Sequence, residues 1–172
     1  NETVHFYNTT SGRYIATVSA NATALGSTTA TTYTSVDPNA TPILANTCGN
    51  PSIQTAVLGR HWVINPTVNS SATVRLPYYN QELNLLMPAS GTSSNPFDLV
   101  SGQADLGLSK YSGPANVNDQ WNDNCASPTT TFQGPNGFGN LNAYAPGWPA
   151  NTDRYSMFNI TGFSEFWLHA SS

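Results

Sequence analysis

A chain of 172 residues is long enough to bury a full two-layer core, and residues 1–172 read as one domain. Only 8% of it is Asp, Glu, Lys or Arg, where about 25% is usual. A net charge of −4 with one lysine, Lys110, argues against nucleic-acid binding, which needs clustered cations to neutralise phosphates. No apolar run approaches the ~18 residues of a helical membrane span.

In chain order, residues 4–7, 13–18 and 28–36 read as strands, since Val, Ile, Thr and Tyr alternate between two faces. Ser11-Gly12 and Leu25-Gly26-Ser27 punctuate them, and the spacing suggests a meander. Residues 37–56 read as a loop carrying Pro38, Pro42, Pro51 and Cys48. The best-patterned stretch runs from Arg60 to Pro88. In it, His61-Trp62-Val63-Ile64 and Thr73-Val74-Arg75-Leu76 alternate on either side of a Pro/Asn/Ser turn, the pattern of a long-looped β-hairpin. Residues 80–87 place Leu83, Leu85 and Leu86 for a short helix that stops at Pro88.

Beyond Pro88, residues 97–100 and 106–111 are short strand candidates, and residues 112–151 are Gly/Pro/Asn-rich loop with strand character near 129–132. Residues 154–160 and 163–169 are two strong strands, which Thr161-Gly162 would join as a tight turn. The last strand is apolar on both parities, as in a central strand covered on both faces. The fold class expected is all-β: an antiparallel, Greek-key-like β-sandwich with one short helix near residues 80–87.

Cys48 and Cys125 are far apart and outside any CxxC spacing, which disfavours zinc and thioredoxin chemistry. An even count in a chain of extracellular composition points to a disulfide. Loop-closure entropy sets its contribution at about 4.5 kcal/mol at most. Two free thiols, or a catalytic cysteine, are the alternatives.

Several groups could carry chemistry. Asn116, Asn118, Asp119 and Asp123 set hard oxygen donors at close spacing, as Ca²⁺ requires, although the glycine and the terminal glutamate of an EF-hand are missing. Trp121, Tyr144 and Trp148 lie among Gly, Asn and Asp in the long loops, and such rings stack on sugar C–H faces while amides meet the hydroxyls. The same rings would equally pin the loops to the sandwich. Glu82 and Glu165 are the carboxylates a glycan hydrolase would use. The simpler expectation for Glu165 is an ion pair with Arg60, Arg75 or Arg154. The three histidines, His5, His61 and His169, lack ligand spacing, and no Gly-x-Ser-x-Gly elbow is present.

Arg60-His61-Trp62, Ile64-Asn65-Pro66-Thr67, residues 72–76, Gln81-Glu82-Leu83, Lys110-Tyr111-Ser112-Gly113-Pro114 and the closing residues 159–168 occur together in order. In this the chain resembles the β-sandwich module found near the C-terminus of large secreted and surface proteins of Bacteroidetes. There it commonly precedes the sorting tail of type IX secretion. The resemblance covers most of residues 10–170 and departs from the pattern at Pro77 and in carrying no sorting tail. It implies an exported, oxidising setting, either extracellular or at the outer cell surface. It also implies a non-catalytic structural or adhesive role, with neighbouring domains of a parent protein as partners. A carbohydrate-binding module using the loop aromatics is the first alternative, with polysaccharide as partner, and a small secreted glycan hydrolase the second. Neither cofactor nor membrane insertion is expected, apart from Ca²⁺ at the Asx-rich loop.

Overall fold

Thr, Val, Ile and aromatic alternation builds two antiparallel sheets that close on a shared apolar core. The computed structural model describes residues 2–34, 43–47, 50–91, 99–111, 129–132, 134–141 and 153–170. The first sheet runs β1 (Thr3–Tyr7), β2 (Tyr14–Ala20), β6 (Ala72–Tyr79), β10 (Asp153–Ile160), β9 (Gly137–Asn140). The second runs β3 (Thr28–Thr34), β5 (Asn50–Pro66), β11 (Glu165–Ala170), β7 (Leu106–Tyr111), β8 (Thr129–Phe132), with β4 (Ile43–Thr47) also on β5. Ala16, Val18, Val74, Leu76 and Phe158 of the first sheet meet Leu58, Trp62, Ile64, Leu108 and Phe166 of the second in one buried cluster. Trp62 Nε1 donates to Ile15 O at 3.1 Å, tying the layers together through the indole's one polar atom. No described helix is long and apolar enough to cross a membrane. The all-β sandwich is thus as the sequence pattern indicates, with one α-helix among the described residues.

The strand pairing differs from expectation in three places, each for the same reason. The strands β5 and β6 belong to opposite sheets, so the stretch between Pro66 and Ala72 is an arch over the core and not a hairpin loop. Likewise β10 and β11 belong to opposite sheets, and Thr161-Gly162 carries the chain across. The opening meander ends after the β1–β2 pair, because β3 crosses to β5. Alternation fixes which side chains face inward, but each layer of a sandwich offers the same inward face.

Part of the expected loop over residues 37–56 is strand: β4 pairs with the first half of the 17-residue β5, from Ile43↔Val57 to Thr47↔Asn50. Leu99 and Val100, expected in a strand, are irregular. β11 lies centrally, between β5 and β7, with all six residues buried. Phe166, Leu168 and Ala170 enter the core. Trp167 is buried on the opposite face, outside the inter-sheet cluster.

Pro77 continues β6 and does not interrupt it. The β2–β6 pairing ends at Thr17↔Arg75, so β6 has a free side at Pro77 while β10 pairs with it on the other. The proline oxygen accepts Arg60 Nη1 at 3.3 Å. A strand residue's nitrogen and oxygen point to the same side, so the missing donor faces away from the β10 ladder. Helix α1 (Asn80–Ser90) follows at once and buries Leu83 and Leu86. It runs through Pro88 and ends beyond it; Ser90 Oγ donates to Met87 O at 2.7 Å and accepts Val100 N at 3.0 Å.

Candidate functional site

The β6–α1 junction forces two charged side chains together. Arg60 is on the inward parity of β5, with Leu58 and Trp62, and a guanidinium there needs a partner at once. Glu82, in the first turn of α1, provides it: Arg60 Nε donates to Oε1 at 2.8 Å and Nη2 meets Oε2 at 2.8 Å. Glu82 Oε2 also accepts Tyr79 N at 2.7 Å, satisfying one of the helix's orphan donors. Burial pushes the Glu82 carboxyl above its ordinary range, while the Arg60 charge and hydrogen bond, and then the Arg13 charge, draw it back. The Tyr79 ring carries two guanidinium groups, Arg13 at 4.7 Å and Arg60 at 4.8 Å from its centroid.

Above this cluster lies a cavity of about 390 Å³, at the end of the sandwich where β1 turns into β2. Its wall includes Tyr7, Tyr14, Tyr79, Arg13, Arg60 and Asp153. The β1–β2 turn is tightly built: Asn8 Oδ1 accepts Thr10 N at 3.0 Å and Ser11 N at 2.8 Å. Asn8 N donates to Arg13 O at 2.7 Å, and Gly12 takes the left-handed φ of 67° that closes the turn. Tyr7 is 46% exposed at the rim, its ring 5.8 Å from that of Tyr14. A second cavity of about 350 Å³, more apolar, lies between the β1 and β3 edges near Val4, Phe6 and Leu25.

On the outer face of the second sheet, three rings stack across neighbouring strands. Tyr33 and His61 are 4.7 Å apart at 10°, and His61 and Trp167 4.4 Å apart at 18°. Glu165 accepts Trp167 Nε1 on the same strand. Ser109 Oγ and His169 Nε2 are 3.0 Å apart. Burial holds both His61 and His169 down to about 4. The Tyr111 phenol is raised, by burial first and by the Glu165 charge second.

These positions bear on the sequence expectations for Arg60 and the histidines. Arg60, one of the three arginines expected for Glu165, pairs instead with Glu82 of the helix. His5 is on the first sheet, where Nδ1 lies 2.7 Å from Thr17 Oγ1, away from the two histidines of the second. Among the described residues no group of three or more His, Cys, Asp or Glu could hold a metal. The loop aromatics Trp121, Tyr144 and Trp148 lie outside the described residues. So do the calcium candidates Asn116, Asn118, Asp119 and Asp123, and both cysteines, Cys48 and Cys125. The cavity residues were not singled out, because they come from five separate segments with no common spacing. No family model, curated protein or solved structure matches the chain.

Proposed function

We propose that this chain is a non-catalytic structural or adhesive module of an exported protein, acting outside the cell or at its outer surface. In the same proposal it belongs with the Bacteroidetes β-sandwich modules that accompany type IX secretion, beside neighbouring domains of a parent protein. The observation that carries the reading is the Arg60–Glu82 pair. Glu82, one of the two acids a glycan hydrolase would use, is bonded to Arg60 and to Tyr79 N, and thereby holds α1 to β5. The other acid, Glu165, is buried and bonded to Trp167 Nε1. Side chains committed in this way support shape and not turnover. A surface whose wetting comes from Asn, Thr and Ser, with 8% charged residues, suits an exposed setting of variable salt and pH. A Cys48–Cys125 disulfide belongs to the same reading.

The test has two arms. The chain, placed in its native flanking sequence in a type IX-competent cell, is expected at the surface, where external protease removes it. Purified chain, denatured without reductant, is expected to show no titratable thiol. Protein retained inside the cell, or two free thiols, would remove the export reading.

A further inference from the structure

We propose that the cavity at the β1–β2 turn is a binding site for a neutral saccharide, one or two pyranose units of a longer glycan. The inference deepens the adhesive half of the proposed function and does not depend on export. Its volume of about 390 Å³ is within the range of small-molecule sites, roughly 300–1,000 Å³. Tyr7, exposed at the mouth, gives it a flat apolar surface, with Tyr14 buried beside it and the Tyr79 ring covered by the two guanidinium groups. A pyranose ring offers an apolar C–H face to such rings and hydroxyls around its edge. Facing those hydroxyls are Asn8, Thr9, Ser11 and Thr31, together with the Arg13 guanidinium and the Asp153 carboxylate.

Charge selects against the other ligand classes. The two guanidinium groups, Arg13 and Arg60, are matched in formal charge by Asp153 at the wall and Glu82 beneath it, which favours a neutral ligand over an anion or a cation. Arg60 is engaged by Glu82 and Pro77 O and serves as floor, and the exposed Arg13 at the wall fixes orientation. The turn that forms one wall is held by Asn8 Oδ1, so little ordering cost falls on binding.

Isothermal titration of the whole chain tests this with glucose, galactose, mannose, xylobiose and cellobiose, alongside Tyr7→Ala, Arg13→Ala and, as control, Phe138→Ala on the far edge strand β9. The expected result is saturable binding of at least one of these sugars, insensitive to salt. It should weaken about tenfold in Tyr7→Ala and in Arg13→Ala, as loss of roughly 1.4 kcal/mol requires, and be unchanged in the control. Melting temperatures close to wild type would show that both variants fold. No binding by any of the sugars up to about 10 mM, well above the weakest useful affinities, would overturn the site. Binding that survives both cavity substitutions but is lost in Trp148→Ala would also overturn it, while leaving the adhesive reading in place. Selective uptake of charged sugars that vanishes with salt would replace it with an ion site.

Discussion

Arg60 and Glu82 form two parallel contacts of 2.8 Å, so one strand of the second sheet is tied directly to the helix that ends the first sheet's β6. The pair is 22 residues apart in sequence, and Arg60 and Glu82 are only 8% and 6% exposed. Removing one member leaves a buried charge without its partner, which costs about 3–5 kcal/mol. Glu82→Gln and Arg60→Met should each lower unfolding free energy by about that amount in urea titrations. Combining them should recover part of the loss, because no lone charge remains. Independent, additive effects would refute the coupling.

The Trp62 indole bond between the layers gives a second outcome. Trp62→Phe keeps a large ring in the core but leaves Ile15 O without its donor, at a cost of about 1–3 kcal/mol. A change below about 0.5 kcal/mol would mean that the oxygen finds another partner.

His61 and His169 should weaken the fold in acid. Each is held near 4 in the folded protein against 6.5 when exposed, so the unfolded chain binds more protons between those values. Their contribution is therefore whole above pH 6.5 and is lost as pH falls towards about 4, on the order of 3 kcal/mol each. Glu82 acts in the opposite sense: its raised carboxyl takes a proton more readily when folded, so its contribution declines as pH rises. The comparison with His61→Phe isolates the histidine. The slope of stability against pH should drop by about 1.4 kcal/mol per pH unit within that window, one proton fewer, and an unaltered slope would contradict the assignment.

Two small side chains test the edges of the sandwich. Gly26 has a φ of 69°, and a Cβ there would sit 2.1 Å from Thr67 Oγ1, across the packed β2–β3 and β5–β6 connections. Gly26→Ala should cost more than about 1 kcal/mol in thermal unfolding. Thr32 Oγ1 is buried on the inward parity of β3 and has no hydrogen-bond partner among the described residues. Thr32→Val, nearly isosteric, should raise stability by about 1 kcal/mol; a loss would show that the hydroxyl has a role.

What the sequence conveyed was local. Alternation identified β2, β6, β7, β10 and β11, and leucine spacing found α1. Which layer a strand joins is settled by packing at a distance, so Pro66 to Ala72 looked like a hairpin loop. β9 escaped notice because Gly137 and Gly139 carry no side chain to alternate. A Cβ at Gly137 would meet Met157 Cε at 2.8 Å, the flexible end of a side chain that can move aside, and one at Gly139 the Tyr155 ring at 3.2–3.3 Å. At the candidate site Glu82 was recognisable as a helix acid, yet its partner was not, since nothing in the sequence between them, a separation of 22 residues, marks Arg60 as its neighbour. The loop-rich region drew attention through its composition. The cavity at the β1–β2 turn is formed instead by residues that appear unremarkable one at a time.

The central claim, that the acids of this fold hold its shape, is tested most directly by reducing-end release from a panel of polysaccharides, read for wild type, Glu82→Gln and Glu165→Gln with their melting temperatures. The account predicts no release above buffer from any of the three, with a lower melting temperature in Glu82→Gln. Release by wild type that either substitution abolishes at unchanged melting temperature would contradict it.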